Sequence, residues 1–267
     1  MKYKMLVSDL DGTLLDSGMR IPREIREAVA FAREKGIYVI LCSGRCYISM
    51  LIFEKALGPI PEGQLGISFN GGSVYEALPV KILTDYRLER GLAFEIIDGL
   101  KSLGAPVLVY QCADLYAEHE TPDITAYRHS SMMPVTLLDD FNEIQGDISK
   151  ILIRSGKPVI ESLEQSLRDL VHGRCGVYFS AHNLLEYCPL TANKGLGLKY
   201  VCDRLGIDAS EVIAVGDQNN DIPMLREAGL GVAVGNATDE TKNAADIAIG
   251  ETNDQFAVAK IIYNYFR

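Results

Sequence analysis

Short apolar runs alternate with amphipathic segments in the first part of the chain. Residues 4–8 and 37–42 are apolar runs that end at acidic, serine or glycine residues, as buried strands do. Between them, apolar positions repeat at helical spacing over residues 22–36. A second helix ending near Leu57 and a strand over residues 65–69 follow. This alternation predicts βαβ units and a parallel sheet.

The C-terminal part of the chain repeats the same alternation of helix and strand. Its predicted helices cover residues 194–205, 220–228 and 255–266. Its predicted strands cover residues 211–215, 231–234 and 246–249. The two ends of the chain therefore follow one pattern, which is typical of an α/β fold.

The middle of the chain, from about residue 84 to residue 188, follows a different pattern. We predict helices over residues 89–102 and 159–171, and strands over residues 107–110, 115–117, 148–153, 177–180 and 184–188. This mixture favours an α+β layer over continued strand–helix alternation. We therefore predict a core domain formed by residues 1–83 and 189–267, with a cap domain over residues 84–188. One continuous α/β sheet is the alternative.

Composition narrows the class of protein. The chain has 267 residues, enough for one large domain or for a core with a smaller insertion. Hydrophobic residues make up 48% and charged residues 23%, which excludes a disordered chain and a simple coiled coil. The formal net charge of −10 argues against non-specific nucleic-acid binding, but not against small anionic ligands.

The sequence shows neither a targeting segment nor a metal-binding pattern of cysteines or histidines. No apolar run approaches the roughly 18 residues of a membrane span, and Asp9 comes too early for the core of a signal peptide. The six cysteines occur singly, without a C-x-x-C pair, and the four histidines are isolated. We therefore expect a cytoplasmic protein with reduced thiols and no membrane or nucleic-acid partner.

The strongest chemical feature is the sequence Asp9-Leu10-Asp11-Gly12-Thr13, at the end of the first predicted strand. Ligand sites of open α/β sheets lie outside the carboxyl ends of the strands. Two carboxylates two residues apart repel each other unless a cation lies between them or one is protonated. Mg²⁺ suits such oxygen ligands and accepts a substrate phosphate as well. An Asx turn at a strand end is the structural alternative.

Three further groups of residues stand at the same edge of the predicted sheet. Ser43-Gly44 precedes a helix, where a hydroxyl and backbone N–H groups suit a phosphate. Lys194 opens a helix, and a third group follows a strand: Asp217, Asn220 and Asp221. Taken singly, these residues are an ordinary turn, a solvated lysine and a helix cap. Their order and shared edge favour a common phosphate site.

Together these motifs resemble the four signatures of the haloacid dehalogenase superfamily of phosphatases and phosphotransferases. The signatures are D-x-D-G-T at residues 9–13, Ser43-Gly44-Arg45, Lys194, and G-D-x-x-N-D at residues 216–221. A cap inserted between Asn70-Gly71 and Lys194 is similar to the Cof-type branch with a C2B cap. The resemblance implies a Rossmann-like parallel-sheet core with an inserted α+β C2B cap.

The sequence departs from the pattern of this branch in three places. Residues 189–193 replace a Gly-Val-Ser-like stretch, Gln218 stands where Asn or Gly is usual, and Gln255-Phe256 replaces a Gly-Val pair. Asn193 can still cap the helix that Lys194 opens. These changes bear on substrate preference more than on catalysis.

The resemblance also implies a role for each matching residue. Asp9 is the nucleophile that becomes an aspartyl-phosphate, and Asp11 is the general acid and base. Mg²⁺ is held by the Asp9 carboxylate, the Asp11 backbone carbonyl and Asp217, with Asp221 orienting these ligands. The phosphoryl oxygens are held by Leu10, Ser43, Gly44, Lys194 and Asn220.

The function that follows is Mg²⁺-dependent hydrolysis of a small phosphorylated metabolite, for example a sugar phosphate or a phosphorylated cofactor. A phosphomutase of the same fold and a catalytically silent binding module are the alternatives. Five residues of the predicted cap are candidates for contact with the leaving group: Tyr110, His119, Arg128, His129 and His182. The alternative is that they are only surface or packing residues.

Overall fold

The computed structural model describes residues 2–156, 159, 160, 166, 169, 171–181 and 183–267. The chain divides into two compact units, Met1–Thr84 with Asn193–Arg267 and Asp85–Ala192. We refer to them as the core unit and the inserted unit. The cap limits at residues 84 and 188 stay a prediction of where a separable domain begins and ends.

The described strands and helices are numbered in chain order. The strands are β1 (Met5–Ser8), β2 (Tyr38–Cys42), β3 (Leu65–Ser68), β4 (Ser73–Ala77), β5 (Val80–Asp85), β6 (Val107–Gln111), β7 (Asp114–Ala117), β8 (Thr136–Leu137), β9 (Lys150–Arg154), β10 (Gly176–Ala181), β11 (Leu184–Cys188), β12 (Val212–Gly216), β13 (Leu230–Ala233) and β14 (Ile247–Ala248). The α-helices are α1 (Arg23–Glu34), α2 (Tyr47–Ala56), α3 (Arg90–Ser102), α4 (Pro122–Ser131), α5 (Lys194–Leu205), α6 (Ile222–Glu227), α7 (Asp239–Ala244) and α8 (Ala257–Tyr265). Single helical turns cover Leu10–Leu14, Phe69–Gly71, Phe141–Glu143, Ala209–Glu211, Asn219–Asp221 and Asn253–Gln255.

The core unit is built on an eight-stranded sheet in the order β14-β13-β12-β1-β2-β3-β4-β5. The six strands from β14 to β3 are parallel, and β4 pairs antiparallel with β3. The prediction of an α/β fold with a parallel-sheet core is confirmed. Strand β1 lies between β12 and β2, so residues that follow it emerge in the middle of the sheet edge.

Apolar layers cover both faces of the core sheet. Successive side chains of a strand point to opposite faces. On β1, Leu6 therefore joins one buried cluster with Ile25 of α1, whereas Met5 and Val7 join a second cluster with Leu198 of α5. A strand that is buried on both faces reads as a continuous apolar run, which is why the sequence predicted β1 and its parallel neighbours.

The inserted unit contains a six-stranded sheet in the order β10-β11-β9-β6-β7-β8. Its pairs are antiparallel except for β7 with β8. One face of this sheet joins helix α3 in a buried apolar cluster that includes Ile97, Val109 and Ile151. The unit also buries an ion pair, because Lys150 Nζ lies 2.6 Å from Glu186 Oε1 and both side chains are 1% exposed.

Several described elements were not predicted from the sequence. Strand β5 is the edge strand of the core sheet and its side chains are largely exposed, so it lacks an apolar run. Helix α4 buries little besides Ile124 and Tyr127, so its apolar stripe is weak. The sequence does contain signals for the start of α4, since Thr121 caps the helix and Pro122 occupies the first turn. The helix predicted over residues 159–171 falls largely outside the described residues.

None of the helices in the described part of the chain combines the length and apolarity that crossing a bilayer requires.

A buried carboxyl group lies on helix α2, away from the predicted chemistry. Glu54 is fully buried, with Arg33 NH2 3.3 Å from its Oε2 and Gln64 Nε2 3.5 Å from its Oε1. Burial raises the pKa of Glu54 to about 7, and the guanidinium of Arg33 offsets this effect only in part. A carboxyl group whose native pKa exceeds its unfolded value makes the native state less stable as the pH rises between the two values.

We expect Glu54→Gln to remove a decline in stability between about pH 4.5 and pH 7. The native carboxyl retains its proton to higher pH than the unfolded one, whereas glutamine does not titrate. The free energy of unfolding in urea should fall from pH 5 to pH 8 in the wild type relative to the variant, by an amount on the order of 2 kcal/mol. The exposed Glu27→Gln is the matched control and should run parallel to the wild type. Parallel curves for Glu54→Gln would contradict the assignment.

Candidate active site

Three parallel neighbours in the sheet bring the predicted site residues together. Ser8 at the end of β1 pairs with Val215 of β12 and with Leu41 of β2, so the carboxyl ends of these strands share one edge. The predicted site residues that follow these strand ends are Asp9, Ser43 and Asp217. The backbone N–H of Asp9 still donates to the Val215 carbonyl at 3.0 Å. Asp9 is therefore held at the rim of the sheet rather than in a loose loop.

Three buried aspartates form an acidic cluster at this edge. One carboxylate oxygen from each of Asp9, Asp217 and Asp221 lies within 4.8 Å of the other two. Asp221 Oδ2 accepts from the backbone N–H groups of Asp217 and Gln218, at 2.9 and 3.0 Å. These bonds close the turn after β12, because the carboxylate at the end of the motif ties down its beginning. The spacing of G-D-x-x-N-D thus places two carboxylates at one point.

Lys194 joins this acidic cluster from the start of helix α5. Its Nζ lies 2.6 Å from Asp9 Oδ1 and 2.5 Å from Asp221 Oδ1, and its side chain is buried. Asn193 caps the helix, since its side-chain oxygen accepts from the Leu196 N–H at 2.9 Å. The departure from the family pattern before Lys194 therefore does not remove the N-terminal hydrogen bond of helix α5.

Acidic groups outnumber basic groups in this buried cluster. Burial raises the pKa of Asp9 well above its usual range against the opposing effect of Lys194, and the neighbouring aspartates add to the rise. Burial, reinforced by Asp221, raises the pKa of Asp217 to about 7. Burial alone would lower the pKa of Lys194, but Asp221 and Asp9 together raise it well above its usual range. One ammonium group faces three carboxylates, so the cluster favours a further cation.

The carboxylate of Asp11 has a different environment from that of Asp9. The backbone turns at Gly12, whose φ is +77°, and the Asp11 side chain is 42% exposed. Its two oxygens accept from Nε and NH2 of Arg45, each at 2.7 Å. The two carboxylates of the D-x-D motif thus lie in distinct sites, one buried beside Lys194 and one half-exposed beside an arginine.

The predicted phosphate loop is held by the neighbouring strand. The Ser43 N–H donates to the Ile67 carbonyl at 2.9 Å, and the Ser43 carbonyl accepts from the Asn70 N–H at 3.0 Å. The Ser43 hydroxyl oxygen accepts from the Arg45 N–H at 3.2 Å. The loop from Ser43 to Arg45, which contains Gly44, therefore has a fixed backbone between β2 and α2.

Asn220 lies against an asparagine that the sequence analysis did not select. Asn220 Nδ2 donates to Asn70 Oδ1 at 3.0 Å, and Asn220 Oδ1 is buried without a hydrogen-bond partner among the described residues. Asn70 has a φ of +56°, which L residues rarely adopt. Leu10, the remaining predicted residue, has a fully buried side chain, so only its backbone can serve a ligand.

Other residues that hold the site were also missed. Thr13 Oγ1 and Gln218 Nε2 donate to the two oxygens of Asp217, at 2.9 and 3.1 Å. Asn236 Nδ2 donates to the Gly12 carbonyl at 2.7 Å, and Asn253 Nδ2 donates to the Leu15 carbonyl at 2.8 Å. Thr13 and Gln218 lie within the motifs that carried the resemblance, but sequence alone did not indicate which atoms any of these four residues bind.

The candidate leaving-group residues belong to the inserted unit. Tyr110 is buried there, with its ring 5.2 Å from Lys150 Nζ. Arg128 forms an ion pair with Glu120 at the surface. His119 and His129 are both exposed. His182 lies outside the described residues.

The chain matches a family of known hydrolases. The model of the haloacid dehalogenase-like hydrolases matches residues 6–262, nearly the whole chain. The chain belongs to this family, and the resemblance inferred from its motifs is confirmed. Most of the curated relatives it matches are named phosphatases, and the protein is a phosphatase of the Cof type.

Individual relatives match over nearly their full length. The chain is 27% identical over 286 positions to the 5-amino-6-(5-phospho-D-ribitylamino)uracil phosphatase YwtE of Bacillus subtilis strain 168, covering 97% of this chain and 96% of that protein. It is 29% identical over 286 positions to phosphatase YwpJ of the same organism, covering 97% and 98%. A solved haloacid dehalogenase-like hydrolase from Bacteroides thetaiotaomicron superposes with a TM-score of 0.88 at 30% identity, covering 98% of this chain and 99% of that one.

We expect Gly12→Ala to damage the site beyond the strain of its backbone. A Cβ at residue 12 would lie 2.6 Å from Asp217 Oδ2. Gly36→Ala is a matched control, because its φ of +76° is similar and no atom lies within 4 Å of its Cβ position. Both variants should lose about 1 kcal/mol of stability, from the left-handed backbone. Only Gly12→Ala should also lose p-nitrophenyl phosphatase activity, by about 10-fold or more. Equal activities in the two variants would show that Asp217 does not need its observed place.

Proposed function

We propose that this protein is a Mg²⁺-dependent phosphomonoester hydrolase that acts on a small phosphorylated metabolite through an aspartyl-phosphate on Asp9. The observation that carries the proposal is the buried acidic cluster with its single lysine at the sheet edge. Asp9 suits the role of nucleophile because it directly follows the central strand β1 and its carboxylate is fixed by Lys194. The alternative of a phosphomutase would return the phosphoryl group to a substrate instead of releasing it to water.

The donor set of the cluster fits a divalent cation. Three buried carboxylates face one ammonium group, and all the available ligand atoms are hard oxygens, which Mg²⁺ prefers. The Asp9 and Asp217 carboxylates and the Asp11 backbone carbonyl would hold the ion. Asp221, engaged by Lys194 and two backbone N–H groups, would orient these ligands. When bound, Mg²⁺ would supply positive charge beside the phosphoryl oxygens.

The side chains of the site account for both halves of the reaction. A carboxylate oxygen of Asp9 attacks phosphorus, the ester P–O bond breaks, and the leaving oxygen takes a proton from Asp11. In the second half, Asp11 accepts a proton from water, which attacks phosphorus and releases phosphate and Asp9. Lys194, Asn220 and the backbone of the Ser43–Gly44 loop would hold the phosphoryl oxygens during both steps.

Substrate class follows from relatives and from the inserted unit. Two of the matched relatives, YwtE and YitU, are named for the hydrolysis of a phosphorylated ribitylaminouracil. From these relatives we take only the substrate class, a small phosphorylated metabolite, for this protein. The predicted signature residues all lie in the core unit. The inserted unit would therefore recognise the leaving group and exclude water from the site.

We also propose a cytoplasmic location without nucleic-acid or membrane partners. All six cysteines lie among the described residues, and each carries a thiol rather than a disulfide. This is the pattern of proteins in reducing compartments. The net charge of −10 offers no general attraction for nucleic acid.

We expect Asp9→Asn to abolish phosphate release while the fold is retained. An amide lacks the nucleophilic oxygen that forms the acyl phosphate, but its carbonyl can still accept from Lys194. The measurement is release of inorganic phosphate from a panel of sugar phosphates, nucleotides and phosphorylated cofactors. Asp98→Asn, an exposed aspartate on α3, is the control and should behave like the wild type. Substantial turnover by a folded Asp9→Asn protein would exclude the covalent route, and transfer without phosphate release by the wild type would indicate a phosphomutase.

We expect chelation to stop turnover and Mg²⁺ to restore it. Without a cation, the acidic cluster repels a phosphate dianion. Titration of the metal-free protein with Mg²⁺ in a calorimeter should also show one site, which Asp217→Asn weakens by about 10-fold or more. Full activity in excess EDTA, with metal analysis confirming an apoprotein, would refute the proposed metal dependence.

A further inference from the structure

Arg45 is held rigidly beside the site by groups of the core unit. Its backbone carbonyl accepts from the Phe69 N–H at 3.0 Å. Its NH1 donates to the hydroxyl of buried Ser49 at 3.2 Å, and its guanidinium lies 5.1 Å from the centre of the Phe53 ring. Its side chain is only 11% exposed. The position of the guanidinium is therefore set by the start of helix α2.

Asp11 depends on Arg45 for its orientation. The Asp11 side chain is 42% exposed, and its two oxygens accept from two different nitrogens of one planar guanidinium. Such a two-point bond fixes both the direction and the rotation of a carboxyl group, which a single bond does not. The contrast in burial makes Arg45 the support and Asp11 the supported group.

We propose that Arg45 is a positioning residue that aligns the Asp11 carboxyl for proton transfer to the leaving oxygen. This inference rests on the proposed function, in which Asp11 is the acid and base. As the ester P–O bond breaks, its electron pair stays on the leaving oxygen and the Asp11 proton moves to that oxygen. Arg45 itself exchanges no proton. It uses two of the roughly four lone-pair sites of the carboxyl group and leaves the others for the substrate or water.

The proposal predicts a dependence on the leaving group. A misaligned acid penalises esters whose leaving oxygen needs a proton, such as those of alcohols. It has little effect on p-nitrophenyl phosphate, because p-nitrophenolate leaves without protonation. The appropriate measure is kcat/KM, since it reports the steps up to transfer of the phosphoryl group to Asp9 and is independent of the later hydrolysis.

The experiment compares Arg45→Ala with the wild type on p-nitrophenyl phosphate and on an alkyl phosphate that the wild type hydrolyses. We expect kcat/KM for the alkyl ester to fall by about 100-fold or more, and that for p-nitrophenyl phosphate by less than about 10-fold. Arg45→Lys keeps the positive charge but cannot form the two-point bond to Asp11, so its kcat/KM for the alkyl ester should lie between those of Arg45→Ala and the wild type. Arg20→Ala removes a surface arginine that pairs with Asp16 and is the matched control.

A double-mutant cycle separates positioning from direct substrate binding by Arg45. In an Asp11→Asn background, Arg45→Ala should cause little further loss on the alkyl ester, because its effect passes through Asp11. Ser49→Ala removes one hydrogen bond that holds the Arg45 guanidinium but keeps the arginine. It should also lower kcat/KM more for the alkyl ester than for p-nitrophenyl phosphate, by a smaller factor. This variant tests the proposal if the Arg45→Ala protein is unstable.

Two results would overturn the proposal. One is an equal loss on both esters, and the other is an undiminished effect of Arg45→Ala in the Asp11→Asn background. Failure of the proposed function is a separate outcome, since the wild type itself would then release no phosphate from either ester in the presence of Mg²⁺.

Discussion

The buried ion cluster around Lys194 is the constraint on which the rest of the site depends. Three carboxylates at the edge of a sheet repel one another strongly in a medium of low polarisability. Lys194 lies within 2.6 Å of two of them and offsets part of this repulsion. The turns that deliver Asp9 and Asp221 can therefore be close together only where helix α5 starts. The placement of α5 immediately after the inserted segment ties the second half of the core to the first.

Backbone and neutral donors complete this arrangement without adding charge. Asp221 is satisfied by the N–H groups of its own turn, and Asp217 by Thr13 and Gln218. Further along the chain, Asn236 and Asn253 hold the turn after Asp9 through its carbonyl groups. The site is thus assembled from segments of both halves of the core unit, and its three buried carboxyl groups face a single ammonium group, that of Lys194.

Parts of this picture were predictable from sequence because their physics is local. Strands such as β1 are buried on both faces and read as apolar runs, and the limits of α5 follow from the Asn193 cap and Gly206. Edge strand β5 and helix α4 bury too little to leave a periodic pattern. The partners of the site residues were not predictable, since contacts such as that between Thr13 and Asp217 join residues 204 positions apart. Motifs indicated which residues meet, but not which atoms bind.

The two carboxylates of the D-x-D motif show how one turn can divide two chemical tasks. Asp9 is buried, and desolvation raises its pKa strongly against the effect of Lys194. Asp11, two residues later, is half-exposed and bound by a guanidinium. The two side chains diverge within the turn after β1, and Gly12, which follows both of them, adopts a left-handed φ and leaves room for Asp217 where a Cβ would collide with it. A nucleophile needs a fixed, dry environment, whereas a group that exchanges protons with water needs access to it. The two aspartates therefore have environments that suit the separate tasks proposed for them.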